Sequence, residues 1–233
     1  MTQEMVRDIL QRIDIWDSDE PRVEVLSGGL TNNNYTVYVN GQKYVLRIPG
    51  QGSEVMINRD HELFNSKSAA QAGVSPQVVY SVKPEGALVI DYIDGEVMHP
   101  ETVAENNDRL IAIGHSLNQL HSRASFRPET YVFNMIPKYK DMCSEVGAFL
   151  PYDFDWMLSV MDEIANAMER NKPALAACHN DLLSENFIHA PDNKMWIIDW
   201  EYGGMNDPFF DLGDVCVEHP LTPEQEEVFL KAY

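Results

Sequence analysis

The chain has 233 residues, of which 44% are apolar and 23% charged, a composition that argues against disorder and against a collagen-like repeat. With 17 Lys and Arg against 37 Asp and Glu, its net charge is −20, which argues against a nucleic-acid binder because phosphate contacts need a basic surface. The length allows one or two domains.

The first part of the chain predicts a short helix followed by a small antiparallel sheet. Apolar residues at helical spacing favour a helix over 3–13. Asn40-Gly41 is typical of a type I′ hairpin turn, in which both central residues have positive φ. The β-rich runs around this turn predict strands, at Arg22–Leu26, Tyr35–Val39 and Lys43–Ile48.

The remaining elements divide into a sheet-rich and a helix-rich part. Before residue 94 we expect one inserted helix and a β-pair, at Asn58–Ala72, Gln77–Val82 and Ala87–Ile93. After it we expect mainly helices and a short strand, at Pro100–His121, Phe154–Glu169, Met195–Ile198 and from Thr222 onward. This order predicts a two-lobed α+β protein with a cleft, with an N-terminal lobe over 1–93 and a C-terminal lobe over 94–233.

The cysteines and the N-terminus favour a reducing, cytoplasmic setting. Cys143, Cys178 and Cys216 form no CxxC pair, so neither a disulfide framework nor a cysteine zinc site is indicated. The N-terminus lacks the apolar core of a signal peptide, and no run approaches the roughly 20 apolar residues of a membrane span. We therefore expect no membrane insertion; none of these patterns indicates an oligomeric state.

The stretch His179–Asn186 contains an Asp followed five positions later by an Asn, the spacing of the kinase catalytic loop. In that loop the Asp orients the acceptor hydroxyl and accepts its proton, and the Asn holds a magnesium ion on the phosphates. Asp181 and Asn186 are candidates for these roles, although the same residue types also tie down ordinary loops.

A second motif follows at the distance expected for a metal-binding strand. The apolar run Met195–Ile198 is followed directly by Asp199, which lies thirteen residues after Asn186. A carboxylate there occupies the place of the Asp in the protein-kinase D-F-G triplet. The two motifs together predict a magnesium-dependent phosphoryl-transfer site.

Segments in the same order resemble the choline/ethanolamine kinases, within the wider group of kinase-like small-molecule phosphotransferases that includes the aminoglycoside phosphotransferases. The resemblance covers nearly the whole chain and rests on Leu26–Asn32 with Tyr44–Gly50, His179–Asn186, Ile198–Tyr202 and Asp207–Gly213. It implies a protein-kinase-like fold with a small antiparallel β N-lobe and a mainly helical C-lobe, and it implies ATP and Mg²⁺ as cofactors.

The resemblance also implies roles for individual residues. Asp181 would be the catalytic base, Asn186 and Asp199 would bind magnesium, and Asp211 would brace the catalytic loop. Arg47 would replace the protein-kinase strand Lys and pair with Glu62. The implied nucleotide-binding residues include two loop glycines and an adenine hinge at Asp91–Ile93; they are Gly28, Gly29, Thr31, Asn32, Arg47, Glu62, Asp91 and Ile93.

The acceptor is expected to be a small amino alcohol. Aromatic faces and carboxylates bind a quaternary ammonium, which cannot donate ordinary hydrogen bonds. Tyr202 and Glu218 fall where the family places two members of its choline site, and Trp200 is a third aromatic candidate. Each could instead be a core or surface residue.

Three readings of the function follow from these residues. The first is ATP-dependent phosphorylation of choline or a similar amino alcohol. The second is phosphorylation of another small acceptor, an aminoglycoside or a sugar, and the third is a non-catalytic nucleotide-binding relative. Members of the family usually continue past the position of Tyr233 with helices that add aromatic residues, so we expect an apparently short C-lobe and an acceptor pocket open on one side.

Overall fold

A computed structural model describes residues 3–16, 20–26, 32–171 and 173–233. It confirms the predicted α+β class, with an antiparallel sheet followed by a mainly helical part. The sheet-rich part ends with Asp91, and the next strand, at Glu96, already pairs within the helical part. The chain therefore passes from the sheet-rich part to the helical part between Asp91 and Glu96.

The N-terminal lobe is a five-stranded antiparallel sheet in the order β1-β2-β3-β5-β4. Its elements are α1 (Gln3–Gln11), β1 (Arg22–Leu26), β2 (Asn32–Val39), β3 (Gln42–Pro49), β4 (Val78–Val82) and β5 (Ala87–Asp91). Asn40 and Gly41 between β2 and β3 have φ values of 51° and 73°, as the predicted type I′ turn requires. Helix α1 covers one face of the sheet, and the buried side chains of Ile9, Val37 and Leu46 lie in the core between them.

Helix α2 (Arg59–Gln71) connects the two lobes. The side chain of Asn58 caps it by accepting the backbone N–H groups of Asp60 and His61, and Gly73 ends it with a φ of 83°. Ala69, Ala72 and Val74, at its C-terminal end, belong to the core of the helical lobe. The helix therefore has one end beside β3 and the other fixed in the second lobe.

The C-terminal lobe packs helices around short strands that carry the candidate catalytic loop. Its elements are β6 (Glu96–Val97), α3 (Pro100–Ala104), α4 (Asn107–Arg123), α5 (Val132–Glu145), α6 (Phe154–Glu169), β7 (Ala176–Cys178), β8 (Phe187–His189), β9 (Met195–Ile197), β10 (Gly204–Asn206), α7 (Pro208–Glu218) and α8 (Pro223–Ala232). The buried face of α4, with Leu110, Ile113 and Leu117, forms the centre of this core. Thr222 and Gln225 form the expected capping box at the start of α8.

Two helical features differ from the sequence prediction. The prediction of a single helix over Pro100–His121 is wrong, because the helix breaks at Asn106. The side chain of Asn106 accepts the N–H of Asp108 and thereby caps the start of α4. Helix α5 was not predicted; it contains Pro137, a residue that usually ends a helix.

The surface formed by α5 and α6 is unusually apolar. Neither helix has a fully buried residue, and Trp156 on α6 is 65% exposed. Phe149 and Tyr152, between the two helices, are 92% and 98% exposed. Elsewhere, the three cysteines are free thiols, and none of the described helices is long and apolar enough to cross a membrane.

Candidate active site

The candidate catalytic loop begins after β7 and is fixed by a carboxylate on α7. Asp211 is fully buried in the first turn of that helix, where Asp207 provides the N-cap. Its Oδ2 accepts the backbone N–H of His179 at 2.8 Å and its Oδ1 accepts that of Asn180 at 2.9 Å. His121 Nε2 lies 2.9 Å from the same Oδ2. This is the bracing role that the resemblance implied for Asp211.

The His121 contact belongs to a larger group of possible metal ligands. Atoms of His121, Cys178 and Asp211 lie within 4.8 Å of one another. Both Asp211 oxygens already accept backbone N–H groups. We therefore assign this group to the loop structure and not to metal binding.

Asp181 and Asn186 are joined directly by the fold of the loop. Asn186 Nδ2 donates to the backbone carbonyl of Asp181 at 2.9 Å, so the Asn186 amide oxygen is the atom of this side chain that could bind a metal. The N–H of Leu182 donates to Asp214 at 2.6 Å and fixes the chain next to Asp181. Burial raises the pKa of the Asp181 carboxyl above its ordinary value, and the neighbouring Asp199 carboxylate raises it further.

Asp199 follows β9 and lies beside this loop. Hydrogen bonds connect the two segments, because His179 Nε2 donates to the carbonyl of Ile198 at 2.8 Å and the N–H of Ile198 donates to the carbonyl of Asn186 at 3.0 Å. Asp199 has a φ of 71°, in the left-handed region that non-glycine residues rarely adopt. Such strained positions cluster at functional sites, where the surrounding contacts enforce them.

Arg47 on β3 connects the N-terminal lobe to this acidic site. Its Nη1 hydrogen-bonds the Glu62 carboxylate, and its Nη2 lies 2.6 Å from both Asp199 Oδ1 and Glu201 Oε1. Burial alone would lower the pKa of Arg47, but the charges of the three carboxylates raise it above its ordinary value. The structure therefore pairs Arg47 with Glu62, as the resemblance implied, and adds a contact between Arg47 and Asp199 that was not predicted from the sequence.

The sequence did not predict that Arg59 and Glu201 belong to this network. Arg59 Nη1 lies 2.6 Å from Glu62 Oε2 and 3.0 Å from Glu201 Oε1. Burial would raise the pKa of Glu201, but the charge of Arg47 and hydrogen bonds from Arg59 and Asn32 lower it below its ordinary value. The only sequence signals were short spacings, since Arg59 is three residues before Glu62 and Glu201 two after Asp199.

The expected nucleotide residues are only partly described. Gly28, Gly29 and Thr31 lie outside the described residues. Asn32, the first residue of β2, is buried and bonds Glu201, so it reaches the acidic site. Asp91 and Ile93 lie at the junction of the lobes, where they are partly buried, and burial raises the pKa of Asp91.

The expected acceptor residues have different surroundings. Tyr202 is 37% exposed, and the pKa of its phenol is raised by burial and by the nearby carboxylates of Glu201 and Asp181. Glu218 is exposed at the end of α7. Trp200 is buried in the core, and its Nε1 donates to Ser75 at 2.9 Å. This position does not agree with the predicted substrate contact of Trp200, because its ring and its donor are both occupied by the protein.

The oxygen donors fit a magnesium ion. Mg²⁺ prefers carboxylate and amide oxygens, and usually one or two protein carboxylates hold it together with substrate phosphates. Asn186 could supply an amide oxygen and Asp199 a carboxylate oxygen beside Asp181. Asp199 already holds a cationic group, the Arg47 guanidinium, which shows that its carboxylate is directed toward positive charge.

Comparisons with known proteins agree with this geometry. Residues 23–231 match the family model for choline/ethanolamine kinase. Protein LicA of Haemophilus influenzae is 32% identical over 212 residues, which cover 88% of this chain and 61% of LicA. The chain therefore spans less than two thirds of that relative.

Solved structures extend the likeness to the whole described fold. A choline/ethanolamine kinase family protein from Mesorhizobium loti is 35% identical, with a TM-score of 0.84 over 100% of this chain and 76% of that one. Choline kinase LicA from Streptococcus pneumoniae is 29% identical, with a TM-score of 0.83 over 99% of this chain and 80% of that one. A LicA structure in complex with AMP is 27% identical, with a TM-score of 0.80 over 99% and 79% of the two chains.

Proposed function

The chain belongs to the choline/ethanolamine kinase family, and we propose that it transfers the γ-phosphoryl group of ATP to the hydroxyl of choline or a similar amino alcohol. The observation that carries the proposal is the meeting of the Asp181–Asn186 loop with Asp199 and Arg47. Phosphoryl transfer depends mainly on positioning and charge stabilisation, and these residues supply both.

Asp181 orients the acceptor hydroxyl and accepts its proton. Its raised pKa makes it a stronger base than an exposed aspartate. The bond from Asn186 and the Asp211 contacts to His179 and Asn180 fix the loop on both sides of Asp181. The base is therefore held in place before the acceptor arrives.

Asn186 and Asp199 would hold Mg²⁺, and the bound ion would neutralise charge on the nucleotide phosphates. Arg47 would contact the phosphates with its planar, permanently charged guanidinium while Glu62 holds it in place. Binding of AMP by the LicA relative supports nucleotide binding here. Asn32, Asp91 and Ile93, with Gly28, Gly29 and Thr31, would complete the nucleotide site.

Tyr202 and Glu218 would recognise the ammonium group of the acceptor. The Tyr202 ring is accessible and lies near the Asp181 carboxylate. A small acceptor whose ammonium group contacts this ring would therefore have its hydroxyl close to Asp181. A cation is also favoured by the carboxylates around this site and by the net charge of −20. The choline kinase activity named for the Streptococcus pneumoniae relative supports choline as the acceptor.

We also propose that the enzyme works in the cytoplasm, where ATP and Mg²⁺ are available and free thiols such as Cys178 stay reduced. The function is tested by measuring ADP release with Mg²⁺, with and without choline, for the unmodified chain and for Asp181→Asn. Choline-dependent release that the substitution lowers by roughly 10²-fold is the expected result. Nucleotide binding without turnover of any acceptor would contradict the proposal and indicate a non-catalytic relative.

A further inference from the structure

The charge network between the lobes contains a second guanidinium. Three carboxylates, those of Glu62, Asp199 and Glu201, share the two cations Arg47 and Arg59. The side chain of Glu201 is only 3% exposed, and that of Glu62 is equally buried. Buried carboxylates need a partner, because an unpaired buried charge is strongly destabilising.

The proposed reaction requires Arg47 to give up part of this network. A single nitrogen of Arg47, Nη2, contacts both Asp199 and Glu201. If Asp199 holds Mg²⁺ and Arg47 turns to the phosphates, Nη2 would leave both carboxylates. Glu201 then keeps a neutral bond from Asn32, and among its described partners the remaining charged one is Arg59.

Arg59 is well placed for that task. Its Nη1 contacts Glu62 on α2 and Glu201 in the C-terminal lobe, so one group holds both. Its Nη2 hydrogen-bonds Ser53, whose hydroxyl donates to the carbonyl of Gly50 at 2.7 Å. A planar guanidinium held in this way keeps several contacts in fixed geometry, which a lysine ammonium cannot do.

We infer that Arg59 is a positioning residue that keeps an ion pair with both Glu62 and Glu201 when Arg47 turns from Asp199 to the nucleotide phosphates. The inference rests on the proposed function, since it assumes that a magnesium nucleotide binds between the lobes. Arg59 does not contact the nucleotide itself. Its effect is to lower the cost of releasing Arg47, and hence to strengthen magnesium-nucleotide binding.

The test compares Arg59→Met with a matched control, Arg109→Met. The Arg109 side chain is also 15% exposed and also forms two ion pairs, with Glu96 and Glu105, neither of which belongs to the charge network of Arg47 and Arg59. Calorimetry would measure the binding of a non-hydrolysable ATP analogue with Mg²⁺, and thermal unfolding would report stability. We expect Arg59→Met to weaken binding tenfold or more and Arg109→Met to change it less than twofold.

Two further variants separate positioning from a general loss of structure. Arg59→Lys keeps the charge but not the planar guanidinium with its several donors, so we expect an intermediate loss of affinity for the magnesium analogue. Adding Glu201→Gln to Arg59→Met removes the unpaired charge, so the double variant is expected to bind the magnesium analogue more tightly than Arg59→Met alone. If Arg59→Met does not fold, Arg59→Lys decides, and wild-type affinity in that variant overturns the inference.

Other outcomes also have a definite meaning. Wild-type affinity in folded Arg59→Met, or equal losses in Arg59→Met and Arg109→Met, would overturn the positioning role. None of these measurements contains an acceptor. Failure of choline turnover in the unmodified chain would therefore contradict the proposed function while leaving the Arg59 result to be judged on nucleotide binding.

Discussion

Asp211 offers a test of how the catalytic loop is held. Its two oxygens accept the N–H groups of His179 and Asn180 at 2.8 and 2.9 Å, and the carboxylate is fully buried. Asp211→Ala removes both acceptors and leaves both N–H groups without their partner. Each such group costs about 1–3 kcal/mol, so we expect a loss of roughly 2–6 kcal/mol in the free energy of unfolding.

Asp211→Asn is the finer perturbation. The amide oxygen still accepts one backbone N–H. The amide nitrogen, however, is itself a donor and cannot accept the second backbone N–H. We expect about half the loss caused by alanine, roughly 1–3 kcal/mol. At about 2–4 °C per kcal/mol for a protein of this size, the melting temperature should fall by a few degrees. Turnover should fall by about 10²-fold, the effect of small misplacements of catalytic groups.

The assay combines thermal unfolding with steady-state ADP release. Asp192→Asn is the matched control, because Asp192 is an exposed turn residue whose Oδ1 accepts the N–H of Lys194. Its stability should stay within about 0.5 kcal/mol of the unmodified chain. Wild-type stability and turnover in Asp211→Asn would refute the view that this carboxylate fixes the loop.

The remaining predictions concern the base, the metal and the acceptor. Asp181→Asn should lower turnover by roughly 10²-fold with little effect on nucleotide affinity. It should also raise the melting temperature, because a pKa raised by folding means that the ionised carboxylate destabilises the fold increasingly as pH rises through that pKa. Magnesium titrations should show weaker metal-nucleotide binding for Asp199→Ala, and a smaller effect for Asn186→Ala because an amide carries no charge. Tyr202→Ala should cost about 0.5–2 kcal/mol of choline binding and less for ethanolamine, whereas Glu218→Gln should weaken both, as calorimetry with each acceptor would show.

Local chemistry explains what the sequence predicted well. Asn40-Gly41 and the Thr222–Gln225 capping box each act within a few residues, so their effects on the backbone are visible in a short window. The loop from Asp181 to Asn186 is similar, because the bond between these two residues closes within five positions. Such features do not depend on how the rest of the chain packs.

Long-range contacts explain what the sequence did not show. The ion pair of Arg59 and Glu201 joins residues 142 positions apart, and neither residue has a pattern that distinguishes it from a solvated charge. Trp200 has a side chain of the kind that binds cationic ligands, but it is buried in the core, where it contacts Ser75, 125 positions away. Burial of this kind depends on the tertiary fold.

Competition among acceptors tests most directly whether the chain phosphorylates amino alcohols. The unmodified chain would be incubated with ATP, Mg²⁺ and equal amounts of choline, ethanolamine, an aminoglycoside and a neutral sugar, and the phosphorylated products would be identified by mass spectrometry. We predict that phosphocholine or phosphoethanolamine is the main product, because carboxylates and an accessible tyrosine surround the proposed acceptor site. Preferential phosphorylation of the sugar or the aminoglycoside would contradict the assignment to amino alcohols, and the absence of every product would contradict the assignment as a kinase.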